Sequence, residues 1–316
     1  MPTQLLLDTD IGDDIDDAMA LALICSSPEL QLVGVTCVLG NVAARSRQAR
    51  SMLTLAGEPY RSVPVAAGCS ALLTSRPHPD KPWFRTQLDP DHTPNQDVIC
   101  LPDAQLPPPD LRHGVDFMIQ TLLEGDGSIV PVLIGPLTNF AMAIVKEPRL
   151  KRVIPRAVLM AGEFREHLAE YNVRVDPEAA AIVCASGIPL EFIPWYAGVR
   201  IARFTPRDIE SLADGKGRLS RCVHDTIRAW QAFHRHGDTT VPLDTHLPSL
   251  FDPMAVATVI DESLFEWRRG RVSIDLNDGP GYGYTHFDPD PAGPHRVAWD
   301  GDRARCINFF LDRVRG

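Results

Sequence analysis
Positive charge is scarce in this chain. Lysine and arginine together number 31 against 41 aspartates and glutamates, and lysine occurs only at 81, 146, 151 and 216. The formal net charge of −10 argues against nucleic acid or an anionic membrane as the main partner. Paired cysteine motifs are missing too: the seven cysteines, at 25, 37, 69, 100, 184, 222 and 306, contain no CxxC. An odd number of scattered thiols argues against a disulfide framework or a zinc knuckle, and predicts free cysteines in a reducing, cytoplasmic setting. No uninterrupted apolar stretch is long enough to span a bilayer, and no basic segment precedes the short apolar run after Gln4. Neither a membrane anchor nor a signal peptide is therefore expected. Internal repeats and low-complexity linkers are absent as well. The expectation is one domain over 1–316, with a core at about 1–200 and a helical cap with a closing hairpin and helix at about 201–316.

What is present is an alternation of short apolar runs and helical patterns. Runs at 5–7, 32–38, 63–67, 129–134, 157–160 and 190–193 read as buried strands, mostly followed by Gly, Pro or Asp. Helices are predicted between them at 16–26, 42–56, 113–124, 137–146 and 177–186. Such alternation indicates an α/β fold whose sheet is mostly parallel and covered by helices on both faces. Beyond 205 the pattern turns helical, at 206–213, 218–236 and 253–260, before a hairpin-like pair at 271–276 and 296–298 and a last helix. The proline-rich stretch 70–112 breaks the rhythm, and a loop of that length in a compact domain is usually functional or mobile.

Aspartate is concentrated in one place. "DTDIGDDIDD", residues 8–17, puts six aspartates in ten positions where the first strand ends. Carboxylates held this close raise one another's pKa unless something positive lies among them. In an open parallel sheet, ligands bind beyond the carboxyl ends of the strands. Those ends carry Asp8, Asp10, Asp16 and Asp17 after the first strand, Asn41 after the second, "LIGPLTN" at the fourth, and Glu170 with Asn172 after the fifth. Asp252 lies further on, in "LFDPMAVA". Taken singly, each has an ordinary explanation. Asp16 and Asp17 suit a helix start, Asp252 before Pro253 suits an N-cap, Asn41 suits a turn, and Asp13 and Asp14 read as solvated loop charges. A cap does not require six aspartates, however, and the set together predicts a hard cation such as Ca²⁺ beside a polyhydroxylated ligand. An EF-hand starting at Asp8 is excluded by Gly12, Asp13 and Met19 where Asp or Asn, Gly and Glu are needed. The Asp-x-Asp also resembles that of haloacid-dehalogenase phosphatases, but Gly12 departs from their motif and no convincing later lysine is found. That reading, and a non-catalytic Ca²⁺-dependent ribose- or nucleoside-binding protein, remain as alternatives.

"DTDIGDDIDDAMAL", "LGN", "GPLTN", "LMAG", "AEYN…DPEAA" and "FDPMAVA" occur in the order and approximate spacing of the inosine–uridine nucleoside hydrolases, which the chain resembles from Leu5 to about Ala257. The resemblance implies a Rossmann-like fold with a C-terminal helical cap, a tightly bound Ca²⁺, a nucleoside substrate and a homodimer or homotetramer. It implies Asp10, Asp17, Asp252 and the backbone carbonyl of Ile134 as calcium ligands, with Asp10 also deprotonating the attacking water. Asp16, Asn41, Glu170 and Asn172 match ribose contacts, Met160 matches a residue lining the ribose pocket, and Asp252 also borders the sugar. The sequence departs from the family at three points. Phe251 stands where many relatives have a histidine that protonates the leaving base. The "HG…G" loop is replaced by a segment containing His78, Trp83 and His92, and the stretch between Gly162 and Glu170 is short. For the missing acid three candidates are open: His234, one helical turn from Trp230; His246; and a residue of the 70–112 loop.

Overall fold
The computed structural model describes residues 1–74 and 87–316, so His78 and Trp83 lie outside the described residues. The apolar run after Gln4 forms its spine. β1 (Thr3–Thr9) is central in the sheet and Leu5, Leu6 and Leu7 are wholly buried. Successive side chains of a strand point to opposite faces, so Leu5 and Leu7 enter one hydrophobic core and Leu6 the other. Among the described residues eight further strands follow: β2 (Leu30–Cys37), β3 (Val65–Ala67), β4 (Ile129–Leu133), β5 (Ala157–Met160), β6 (Leu190–Ile193), β7 (Phe265–Ile274), β8 (Thr285–Pro289) and β9 (His295–Gly301). Their order in space is β3-β2-β1-β4-β5-β6-β9-β7-β8. All pairings from β3 to β9 are parallel, while β7 runs antiparallel to both β9 and β8. The strand order reverses at β1, which has β2 on one side and β4 on the other. A crevice opens at such a switch point, beyond the carboxyl ends of the strands.

The helices are α1 (Asp16–Cys25), α2 (Val42–Ala56), α3 (Gly114–Glu124), α4 (Thr138–Lys146), α5 (Leu150–Val153), α6 (Tyr171–Val175), α7 (Pro177–Cys184), α8 (Pro206–Ala213), α9 (Ser220–His234), α10 (Phe251–Ile260) and α11 (Arg303–Arg315). α1, α2 and α8 to α11 cover one face of the sheet, and α3, α4 and α7 cover the other. α1 and α10 are apolar all round after their first residues and are buried on every side. They pack side by side, with alanines at 18, 20, 22, 255 and 257 keeping both helices slim. α1 begins with Asp16 and Asp17, and Asp252 is the second residue of α10, so this packing delivers all three to one place. No helix among the described residues is long and apolar enough to cross a membrane. All seven cysteines are free.

One pairing differs from the sequence expectation. The segment near 271 does not pair with 296–298. Its partner is β8, with Val272 opposite Phe287, while β9 pairs with the first half of β7, Trp267 opposite Ala298. β8 reads Thr-His-Phe-Asp-Pro and forms the outer edge of the sheet, so it carries none of the apolar alternation that marks a buried strand. The last third of the chain therefore adds three strands to the same sheet as well as helices.

Candidate active site
At the carboxyl edge of β1 and β4 the chain encloses a cavity of ≈ 190 Å³, lined by Asp10, Asp13, Asp14, Asp16, Asp17, Ile134, Met160, Glu170, Asn172 and Asp252 among others. Carboxylate oxygens of Asp16, Asp17 and Asp252 lie within 4.8 Å of one another, and all three residues are buried. Burial, then the neighbouring carboxylates, push all three well above the usual carboxylate range: Asp14 and Asp17 act on Asp16, Asp10 on Asp17, and Asp16 and Asp17 on Asp252. Thr9 Oγ donates to Asp17 and fixes its orientation. Asp10 lines the same cavity but is not in the tightest group. Burial raises its pKa to about 6 against the opposing pull of Arg45. Gly135 lets it stand so close to β4, since a Cβ there would lie 2.9 Å from Asp10 Oδ1. The donors are all oxygens, which suits a hard cation.

The positive group among the aspartates is an arginine on α2. Arg45 is 1% exposed. Its Nη2 donates to Asp13 Oδ2 at 3.0 Å, its Nε to the Leu39 carbonyl at 2.8 Å, and its Nη1 to the carbonyls of Asp10 and Ile11. Asp13 is thus no solvated loop charge. It is 7% exposed and its second oxygen meets His92 Nε2 at 2.9 Å. Residues of the segment after 87 complete the clamp: Asn95 Nδ2 donates to the Asp13 carbonyl at 2.7 Å, and Gln96 Nε2 donates to the Asp14 carbonyl. Sequence reasoning missed Arg45, although a signal existed. Positions 45, 49, 52, 53 and 56 of α2 form one buried stripe, and the arginine is on it.

The residues expected to contact the sugar divide. Glu170 caps α6, accepting from the backbone N–H groups of Asn172, Gly162 and Val173 at 2.9, 3.0 and 3.2 Å, yet burial still lifts its pKa to about 7. Asn172 Nδ2 donates to the carbonyls of Ile134 and Met160, both at 3.0 Å, bridging the ends of β4 and β5. Asn41, by contrast, is not in the cavity wall. Its Oδ1 caps α2 through Ala44 N at 3.1 Å and its Nδ2 donates to the His92 carbonyl at 3.0 Å. Asp8 also turns away: Oδ1 accepts from Thr36 at 2.5 Å and Asn139 at 2.8 Å, tying β1 to β2 and α4.

Aromatic side chains, of which the sequence singled out only Phe251, complete the cavity. Tyr171, Trp195 and Phe251 line it, and Tyr171 donates to Gln87 across the mouth. A Cβ on Gly198 would lie 2.0 Å from the Phe251 ring, so glycine is required there for the ring to lie where it does. His234 is outside this cavity. It lines an outer one, with Phe233, His236, His92 and Asn95, that shares Asp13, Asp14 and Gln87 with the inner. The His234 and His246 rings are 5.4 Å apart, and burial, then His246, lower the pKa of His234.

A sequence profile of the inosine-uridine preferring nucleoside hydrolases matches residues 5–308. The chain belongs to that family. It is accordingly an N-ribosyl hydrolase, acting on the N-glycosidic bond of a ribonucleoside, and the phosphatase and non-catalytic readings fall away. The inosine-uridine preferring nucleoside hydrolase of Crithidia fasciculata is 29% identical over 99% of this chain and 98% of its own length. The pyrimidine-specific ribonucleoside hydrolase RihA of Klebsiella pneumoniae is 31% identical over 99% of each chain. The purine-preferring ribonucleoside hydrolase from Gardnerella vaginalis superposes with a TM-score of 0.81, at 28% identity over 99% of this chain and 98% of that one. These nucleoside hydrolases share the fold at similar identity while their names carry three different base preferences. Overall similarity therefore does not select a base.

Proposed function
We propose that the chain hydrolyses its ribonucleoside to ribose and free base in the acidic cavity, with Ca²⁺ as cofactor and Asp10 as the general base. The observation that supports this most is the convergence of Asp16, Asp17 and Asp252 within 4.8 Å inside a buried, oxygen-only wall. Carboxylates pushed this far up by burial and mutual repulsion fit a cation, whose charge reverses both penalties. Asp10, Asp17 and Asp252 with the Ile134 carbonyl would hold it. When bound, Ca²⁺ supplies charge compensation and acidifies a water, though less strongly than Zn²⁺ does.

The remaining work falls to side chains. Asp10 takes the proton of the attacking water. Asp16 and the fixed carboxylate of Glu170 accept from ribose hydroxyls. Asn172, its amide nitrogen engaged by two carbonyls, offers Oδ1 to a third hydroxyl. Met160 forms part of the pocket wall beneath the sugar. As the C1′–N bond lengthens the sugar becomes oxocarbenium-like, and oxygens already fixed around it stabilise that charge more than the ground state. Asn41 acts behind this layer, as a helix cap. His234, whose pKa burial lowers and which has no carboxylate partner among its described contacts, is assigned to the wall of the base-side cavity. The test is a reducing-sugar assay on purine and pyrimidine ribosides with 2′-deoxy controls. Ribosides should react far faster; equal rates on deoxyribosides would remove the hydroxyl contacts from the account.

A further inference from the structure
We propose that the riboside this site takes carries a positively charged base, an N-ribosyl pyridinium or a similarly quaternised heteroarene, and that Asp14 selects it. The proposal rests on the hydrolase reading above and deepens it. Seven carboxylates line the inner cavity, those of Asp10, Asp13, Asp14, Asp16, Asp17, Glu170 and Asp252, and no lysine, arginine or histidine is among its described lining residues. Arg45 neutralises Asp13, which also meets His92, and a cation would compensate Asp16, Asp17 and Asp252. Asp14 remains. It alone of the six aspartates at 8–17 is exposed, it makes no ion pair among the described residues, and its Oδ1 accepts only from Ile15 N, at 2.8 Å. It borders both the inner and the outer cavity, where a base attached to a sugar in the inner one would emerge.

Aromatic rings surround that junction. Trp195, Phe251 and Tyr171 line the inner side and Phe233 the outer, and the Trp230 indole lies near Asp14 without closing a hydrogen bond. Aromatic faces and an unpaired carboxylate together are the chemistry that holds a flat cation. Among the described residues, the inner cavity lining holds no histidine to protonate a leaving base. The residue before Asp252 is Phe251, His92 is tied to Asp13, and His234, whose pKa burial lowers, lines only the outer cavity. A cationic base needs no such donor. When the C1′–N bond breaks, its electron pair returns to the ring nitrogen, cancels the positive charge, and the heteroarene departs neutral. Water adds to C1′ and gives its proton to Asp10, so riboside cation and water become ribose, heteroarene and one proton. An uncharged base would instead develop negative charge facing Asp14.

The positive charge passes from the ring to the adjoining oxocarbenium-like ribose, so Asp14 attracts bound substrate and transition state alike. Its effect therefore appears in KM and kcat/KM, with kcat little changed. The experiment compares kcat/KM for nicotinamide riboside with that for uridine and inosine, using Ca²⁺-loaded protein. The cationic riboside should exceed both by at least about tenfold, the size of one hydrogen bond to a charged group. In Asp14→Asn, which still accepts from Ile15 N, the ratio of cationic to neutral kcat/KM should fall by roughly 10- to 100-fold, chiefly through KM. Asp14→Ser should reproduce the fall. Faster turnover of uridine or inosine than of nicotinamide riboside, or an equal loss on all three substrates in the variant, would overturn the proposal. Failure to release ribose from all of these and from p-nitrophenyl riboside would overturn the hydrolase reading itself.

Discussion
Arg45 carries more of the site's architecture than any single carboxylate. It is a buried cation whose guanidinium joins the turn after β1 to the turn after β2 and to Asp13. Breaking a buried pair from one side leaves the other charge uncompensated, which typically costs about 3–5 kcal/mol. Arg45→Met should therefore lower the urea-unfolding free energy by about that amount, and a loss under 1 kcal/mol would show that solvent already compensates Asp13. The sugar contacts predict a different signature. Asn172→Ala should depress kcat more than it raises KM, because its oxygen acts on charge that develops only as the bond breaks; steady-state kinetics on one good riboside decides this. At this scale the aspartates were legible because like charge in an apolar context is costly and needs a reason. Arg45 was legible only through the buried stripe of α2, and the roles of Asp13 and Asn41 were not legible, because their partners, His92 and the His92 carbonyl, are about 80 and 50 residues away.

Two buried helices make the acidic cluster. α1 and α10 point their N-termini at the same spot, where the positive ends of their dipoles favour negative charge by about 0.3–1 kcal/mol each. That is too small to offset three crowded, buried carboxylates, which is the physical reason to expect a cation as well. α2 offers a test of whether Asn41 acts as a helix cap or at the sugar. Asn41→Ala removes an N-cap and should cost about 1 kcal/mol of stability in a thermal or urea melt while leaving KM for the riboside nearly unchanged. A tenfold rise in KM with unaltered stability would return Asn41 to the sugar. Elements with a strong period were readable from the sequence: β1 to β6, six of the seven strands joined by parallel pairing, and the main helices between them fall where the apolar pattern places them. β8 was not, since an exposed edge strand buries too little to need a pattern, and with it went the true partner of the second half of β7.

The whole molecule folds around carboxyl groups that resist ionisation. Asp8 and Glu170 are raised by burial to about 7 and Asp10 to about 6. Between the unfolded values near 4 and these, the folded chain holds protons that the unfolded chain releases. Stability of metal-free protein should therefore fall as pH rises from about 4 to 7, the reverse of a protein held by carboxylate salt bridges. Melting temperatures in chelator across that range check the sign. Calcium should oppose the fall, because a cation binds the ionised carboxylates of the folded state only and stabilises it by mass action.

The account stands on metal-assisted hydrolysis of a riboside in this cavity. The most direct measurement is p-nitrophenyl riboside turnover by exhaustively chelated protein, before and after Ca²⁺ is returned. This leaving group departs without a proton, so the assay reads the sugar and metal side alone. Turnover should fall to background on chelation and recover with Ca²⁺, together with a rise in melting temperature. Turnover and melting temperature that are the same in chelator and in Ca²⁺ would contradict the account at its centre.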